Sequence, residues 1–200
     1  FNEAGDKCVM LNGEIYNFRK LYDMLKDKHT FSTKTDTEVI IHLYEEYGEN
    51  CVDYLEGMFC FAIYDNGKVF IARDRIGIKP LYFGYSNEKM YFASELKALK
   101  GCEDIDIFPP GNTYSSDEGF KKYYSLPQLS KSDECHDEEE LARKIKQELT
   151  EAVEKRMVSD VPVGVFLSGG LDSSIIAYLM KKYNPDLHTF SAGFEDSPDL

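Results

Sequence analysis

The chain has 200 residues, 42% of them hydrophobic and 14% aromatic, a load of apolar area that excludes a disordered chain and suffices for one domain or two small ones. Its formal net charge of −13 excludes non-specific nucleic-acid binding, which needs Lys and Arg to displace counterions. The longest apolar run, Met58–Tyr64, falls well short of the roughly 20 residues of a membrane span, and no secretory or transit peptide is expected.

Cys8–Leu11 reads as a short strand, and Phe18, Leu21, Tyr22 and Leu25 recur at helical spacing up to Lys28. A second helix is predicted from Thr37 to Tyr47, with Ile40, Leu43, Tyr44 and Tyr47 on one side and Gly48 as its stop. After a helical turn at Cys51–Leu55, Met58–Asp65 and Lys68–Arg73 form a hairpin through Asn66-Gly67, where both positions tolerate positive φ. Leu81–Tyr85 and Met90–Ala93 form a second hairpin. Hairpins beside two helices predict an α+β layered domain.

Pro109-Pro110-Gly111 and Ser115-Ser116-Asp117 then punctuate the chain. Charge is uneven: residues 1–100 carry net −3 and residues 101–200 net −10, with eleven acids against three lysines between Glu103 and Glu140. That stretch reads as a solvated, self-repelling connecting region. Within it, residues 125–136 are assigned as the linker between a first domain, 1–124, and the start of a second, 137–200.

Asp137 opens a helix whose Leu141, Ile145, Leu149, Val153 and Met157 repeat every four residues, with Glu140 completing a capping-box-like start and Lys155 and Arg156 at the carbonyl end. Val161–Leu167 reads as a buried strand of the parallel type, Ile175–Lys182 as a helix and Leu187–Ala192 as another buried strand. Together they make a βαβ unit.

Cysteines at 8, 51, 60, 102 and 135 form no CxxC pair and are odd in number, the pattern of reduced thiols in a cytoplasmic protein. Cys60 alternates within an apolar run and is assigned to the core; none is marked as a nucleophile. His29, His42, His136 and His188 have no metal-ligand spacing, so no structural zinc site is expected.

Two constellations carry chemistry. Ser168-Gly169-Gly170-Leu171-Asp172-Ser173-Ser174 lies between a predicted strand and a helix N-terminus, where free N–H groups and the helix dipole favour an anion. The glycines let backbone approach phosphate oxygens, the serines add hydroxyls, and Asp172 could hold Mg²⁺. It is neither a Walker A loop nor GxGxxG. The string resembles the PP-loop of ATP pyrophosphatases, which cleave ATP between the α and β phosphates.

Upstream, Leu11-Asn12-Gly13-Glu14-Ile15-Tyr16-Asn17 offers an amide at Asn12 and an unhindered N–H at Gly13, a candidate oxyanion hole, while Glu14 and Asp36 could pair with an ammonium group. The competing reading is structural: Asn-Gly as a turn, Asp36 as a helix cap.

The order of that string, then Thr33–Glu38, Ala72–Tyr82 and Phe92-Ala93-Ser94-Glu95, resembles the class II glutamine amidotransferase domain, and with the PP-loop the whole is similar to the glutamine-hydrolysing asparagine synthetases. The resemblance implies an α+β N-terminal nucleophile hydrolase sandwich of αββα layers, truncated at its N-terminus, followed by the start of an α/β PP-loop domain. It implies Asn12 and Gly13 as oxyanion hole, Glu14 and Asp36 as partners of glutamine's amino-acid end, and ATP contacts from Phe166, Leu167, Ser168, Gly169, Gly170, Leu171, Asp172, Ser173, Ser174 and Ala192. The family more often has Leu and Val at the places of Phe166 and Ala192. Arg73–Lys79 is then an internal structural signature, not a phosphate patch.

The implied partners are glutamine, aspartate, ATP and Mg²⁺, with no nucleic acid and no membrane, and a homodimer is left open. The implied reaction amidates aspartate with ammonia from glutamine, through a β-aspartyl-adenylate, giving asparagine, glutamate, AMP and pyrophosphate. The family's nucleophile is a cysteine at residue one. Here the chain begins at Phe1, so nucleophile and the glutamine-carboxylate arginine are expected upstream, the aspartate site beyond Leu200, and residues 1–200 alone are expected to be inactive. Rival readings are a β-lactam-forming synthetase, a sugar or phosphoribosyl amidotransferase, and a non-catalytic relic domain.

Overall fold

The computed structural model describes residues 1–128 and 137–193 and divides into two units, Phe1–Pro127 and Gln128–Leu200. In the first, β1 (Lys7–Ile15), β2 (Gly57–Asp65), β3 (Lys68–Arg73), β7 (Asn112–Ser115) and β8 (Gly119–Lys122) form one antiparallel sheet in the order β1-β2-β3-β7-β8. A three-stranded sheet, β5-β4-β6, is made by β4 (Tyr82–Ser86), β5 (Lys89–Ala93) and β6 (Glu103–Ile107). Helices α1 (Phe18–Leu25) and α2 (Asp36–Tyr47) complete the unit, with short 3-10 segments at Gly48–Tyr54 and Leu96–Leu99.

Period-two alternation sorts the side chains of β2 and β3 into two cores. Phe59, Phe61, Ile63, Phe70 and Ala72 pack with Leu21, Leu25, Val39, Ile40 and Leu43 of the helices. Their neighbours Cys60, Ala62 and Ile71 pack with Leu81 and Phe108, and with Phe83 and Phe92 of the smaller sheet. A central sheet buried on both faces explains the unbroken apolar run in β2, and Cys60 is core as expected, 5% exposed.

The Asn66-Gly67 hairpin forms with both residues at positive φ, and Asn87 and Glu88 turn the second hairpin in the same conformation without a glycine. Three expectations are corrected. The first strand does not stop at Leu11: it runs to Ile15, so Asn12-Gly13 lies inside a strand, paired with Cys60 and Phe59, and is no turn. Asp36 is the first residue of α2 and not its cap; Thr35 holds that position without a capping hydrogen bond. The acidic region from Glu103 is not all connecting chain, because β6, β7 and β8 belong to the two sheets. Part of the assigned linker, residues 129–136, lies outside the described residues.

In the second unit, α3 (Glu138–Arg156) begins at Asp137, whose carboxylate accepts from Glu139 N and Glu140 N at 3.0 and 3.1 Å. β9 (Gly164–Phe166) and β10 (His188–Phe190) pair in parallel around α4 (Leu171–Tyr183). The βαβ unit is there, but its strands are shorter than predicted and not buried: Phe166 is 85% exposed. Val153, Leu179 and Met180 form its core with Val163, Val165, Ile176 and Leu187, on one face of the two strands. Of the predicted α3 stripe, Leu141, Ile145 and Leu149 are exposed and Val153 is buried. No helix among the described residues is long and apolar enough to cross a membrane.

Candidate functional site

β1 is an edge of the five-stranded sheet, and its alternation decides what each residue of Asn12–Ile15 can do. Ile15 packs in the helix-side core with Val9 and Leu11. Residues 12 and 14 therefore share the opposite face, that of Cys60. Here the Asn12 Nδ2 donates to Ser94 Oγ at 2.9 Å, and Cys60 Sγ lies 3.9 Å from the same hydroxyl. Beside them is a cavity of about 230 Å³ lined by Met10, Asn12, Cys60, Leu81, Phe92 and Ser94, among others. Ser94 thus orients the Asn12 amide and fixes the direction of its second N–H. The string Phe92–Glu95 was legible as a motif; that its serine holds Asn12 needed the fold.

Backbone direction is equally determined. Tyr16 N bonds to Glu56 O across the β1–β2 pair at 2.8 Å, while Ile15 N points the other way and donates to Asp36 Oδ2 at 2.9 Å. In an antiparallel ladder this direction alternates, so Gly13 N–H faces the same outer edge as Ile15 N–H. Asp36 docks on that edge and ties the start of α2 to the end of β1. Glu14 is exposed.

Gly13 also has a purely steric reason to be glycine. A Cβ there would lie 2.1 Å from Met58 O and 2.7 Å from Phe59 Cα, and one at Gly57 would lie 2.1 Å from Glu14 O. The two strands interlock through reciprocal glycines. Sequence reasoning offered turn geometry; the cause is close backbone approach.

Glu38, two residues after Asp36, is 7% exposed and accepts from Ser32 N at 2.7 Å, Thr33 N at 2.6 Å and the Thr33 hydroxyl. Burial pushes its pKa up, but those hydrogen bonds outweigh it and hold the carboxyl below its ordinary range. Arg73 spends its guanidinium on the carbonyls of Lys79, Phe108 and Gly77 at 2.8, 2.5 and 3.0 Å. Asp74, 1% exposed, accepts from the N–H groups of Phe59, Ile76, Ile78 and Lys79. This stretch is a structural clasp, as the resemblance implied. The four described cysteines are free; burial raises the pKa of Cys51 and of Cys60, the opposite of what a nucleophile needs.

In the second unit, the loop Ser168–Gly170 follows β9 and opens α4. Gly169 has φ +82°, a left-handed conformation that suits glycine, and no side chain caps the helix at Gly170. The first-turn N–H groups at Leu171, Asp172 and Ser173 have no helical acceptor by geometry. The Ser173 and Ser174 hydroxyls bond to Gly170 O at 3.0 and 2.8 Å, and Ser168 Oγ lies 3.0 Å from Ser173 Oγ. The hydroxyls shape the loop, and they reach an anion only by exchanging those bonds. Asp172 is an exposed carboxylate in the same first turn. Leu167 N donates to Phe190 O at 2.8 Å and Ser191 Oγ to Leu167 O at 2.6 Å, which sets Ala192, just past β10, at the same carboxyl end of the parallel pair as the loop. That end is where open α/β sheets bind ligands. A phosphate-bearing ligand with a hard cation fits the donor set: N–H groups toward phosphate, one carboxylate toward the metal.

The first arrangement is a strand-borne amide held by Ser94, and the second a strand–loop–helix turn whose first-turn N–H groups have no side-chain cap. The chain belongs to the glutamine amidotransferase domain family, whose model matches residues 1–140. A model described as asparagine synthase matches residues 144–200. The glutamine-hydrolyzing asparagine synthetase of Brassica oleracea is 43% identical over 216 residues and asparagine synthetase 1 of Arabidopsis thaliana 44% over 215. Each match covers 100% of this chain and 36% of the relative, so the chain spans about a third of the length of the curated relatives it matches. Among solved structures, a glutamine phosphoribosylpyrophosphate amidotransferase from B. subtilis has TM-score 0.55 at 20% identity, covering 96% of this chain and 47% of that one. That likeness is one of fold, and the layered α+β sandwich of the first unit is the one expected.

Proposed function

We propose that the chain is part of a glutamine-hydrolysing asparagine synthetase. In this reading Asn12 Nδ2 and Gly13 N–H stabilise the oxyanion formed when glutamine's amide is attacked, and Glu14 and Asp36 receive its ammonium group. The ammonia released serves the second unit's reaction. There Phe166–Ser174 and Ala192 hold ATP, with the first-turn N–H groups of α4 on its phosphates and Asp172 on Mg²⁺. When bound, Mg²⁺ offsets the charge that develops on pyrophosphate as aspartate's β-carboxyl is adenylated. The adenylation has a plain chemical reason: a carboxylate is a poor electrophile until its oxygen becomes a good leaving group. A cytoplasmic setting goes with this reading and with the free state of the described cysteines.

The observation that carries the proposal is the presence on one chain of both sites, each with its supporting hydrogen bonds, within a match to asparagine synthetases that runs the chain's whole length. The experiment is an assay of the full-length protein with aspartate, ATP and Mg²⁺, supplied with either glutamine or ammonium. Asparagine, AMP and pyrophosphate in equal amounts from both nitrogen sources are the expected products. ADP and phosphate, or an amide of another acid, would overturn the reading.

A further inference from the structure

Neither proposed reaction uses the group of side chains gathered at the end of α2. His42 and Glu45 lie on adjacent turns of that helix; His29 sits just after α1, its N–H bonded to Leu25 O at 3.0 Å, and Glu3 lies in the segment before β1. Glu45 Oε2 is 3.0 Å from His42 Nδ1 and 3.6 Å from His29 Nδ1, and Glu3 Oε2 is 3.6 Å from His29 Nδ1. Ligand atoms from all four residues lie within 4.8 Å of one another. Four ligands at about 2.0–2.2 Å from one zinc stand about 3.3–3.6 Å apart at the edges of a tetrahedron, close to these separations. The histidines, dispersed in sequence, meet in space with rings stacked at 4.6 Å.

Three further features point to a cation. Each carboxylate has one oxygen fastened by the protein and the other turned to the rings: Glu45 Oε1 accepts from Asn2 Nδ2 at 2.7 Å, and Glu3 Oε1 accepts from Thr30 N. Behind each ring stands another carboxylate, Glu46 Oε1 at 3.3 Å from His29 Nε2 and Glu38 Oε1 at 3.7 Å from His42 Nε2, the outer shell typical of metal-bound imidazoles. Finally, His42 is fully buried and its Nε2 has no hydrogen-bond partner. A neutral ring protonated on Nδ1 bonds Glu45 but strands the Nε2 lone pair; protonated on Nε2, it sets the Nδ1 lone pair against a carboxylate at 3.0 Å. A cation at Nδ1 removes the conflict, with Nε2–H turned to Glu38. Two carboxylates and two neutral imidazoles carry a charge that one dication neutralises, and the imidazoles select zinc over Mg²⁺ or Ca²⁺.

We propose that Glu3, His29, His42 and Glu45 form a tetrahedral zinc site that clamps the segment before β1 and the α1–α2 connection onto α2. The test uses the full-length protein stripped with a chelator, titrated calorimetrically with Zn²⁺ and, in parallel, with Mg²⁺, and followed in the visible spectrum with Co²⁺. One zinc equivalent is expected to bind in the presence of excess Mg²⁺, to raise the melting temperature, and to be matched by the strong absorption of four-coordinate Co²⁺. Glu3→Gln and His29→Gln replace partly exposed side chains and spare the helix; each should weaken zinc about tenfold or more and reduce the thermal shift. No zinc equivalent would overturn the proposal, as would zinc binding equally strong in both variants, which would place the metal elsewhere. A His29→Gln effect confined to the pH dependence of stability, with no zinc response in either protein, would also overturn it, marking a protonated imidazole between the carboxylates.

Discussion

The two candidate sites are built on opposite plans. Around Asn12 the groups are fastened before any ligand arrives: the amide to Ser94, the edge of β1 to Asp36, and β1 to β2 through interlocked glycines. Around Ser168 no side chain caps the start of α4, and the Ser173 and Ser174 hydroxyls bond to Gly170 O within the loop itself. The difference suits the chemistry proposed for each. An oxyanion lives briefly and must find its donors already aimed, because reorganisation at that moment raises the barrier. A polyphosphate is a persistent multiple anion, and uncapped N–H groups at a helix start are enough to receive it.

Two glycine substitutions test that contrast most severely. Gly13→Ala puts a Cβ into the backbone of β2, so the strands must part; destabilisation of more than about 4 kcal/mol, or loss of folded protein, is expected in thermal or urea unfolding. Gly170→Ala meets only Ser168 Oγ at 3.5 Å and sits at φ −71°, so stability should change by less than about 1 kcal/mol. Its methyl should nonetheless hinder phosphate approach and reduce ATP–pyrophosphate exchange. Equal effects on folding would erase the distinction between the two plans.

Asn12→Ala comes next. In the full-length enzyme, glutamine-dependent turnover should fall roughly 10²–10³-fold, about 2.7–4 kcal/mol of transition-state stabilisation, while ammonia-dependent synthesis is spared. If both activities fall together, Asn12 is a folding residue. Asp172→Asn should do the reverse: pyrophosphate exchange down about tenfold or more, glutaminase intact, because the substitution removes a metal ligand and leaves the loop's shape.

These experiments also trace what the sequence could reveal. The helices, both hairpins and the strand–loop–helix turn were legible because their signals are local: apolar periodicity, Asn66-Gly67, and glycine before a helix. β7 was not, because Asn112-Thr113-Tyr114-Ser115 is polar, yet Thr113 and Ser115 are buried, with hydroxyls bonded to Lys121 O and from Glu118 N. β6 hid behind Glu103, Asp104 and Asp106, acids that stay exposed on one edge of the small sheet. At the first site the residue types were readable, but whether Asn12-Gly13 turned or ran straight depended on pairing with β2, 45 residues or more away in sequence. Contacts of that range leave no local pattern.

The smallest expected effect separates fastened from open in another way, through pH. Glu38 is fastened: its carboxylate holds Ser32 and Thr33 in the loop that leads to Asp36, with a folded pKa below the ordinary value. The sign follows from that direction. A depressed carboxyl contributes its full stability above its unfolded pKa, near pH 4.3, and loses it as pH falls through the lower folded value. Glu38→Gln keeps the shape but turns one acceptor oxygen into a donor, so at pH 7 it should cost about 1–2 kcal/mol in urea unfolding. As pH falls through the unfolded value toward the lower folded one, the two proteins should converge, since protonated Glu38 also has a single good acceptor. A gap that stayed constant from pH 7 to pH 3 would mean that Glu38 holds the loop by packing alone.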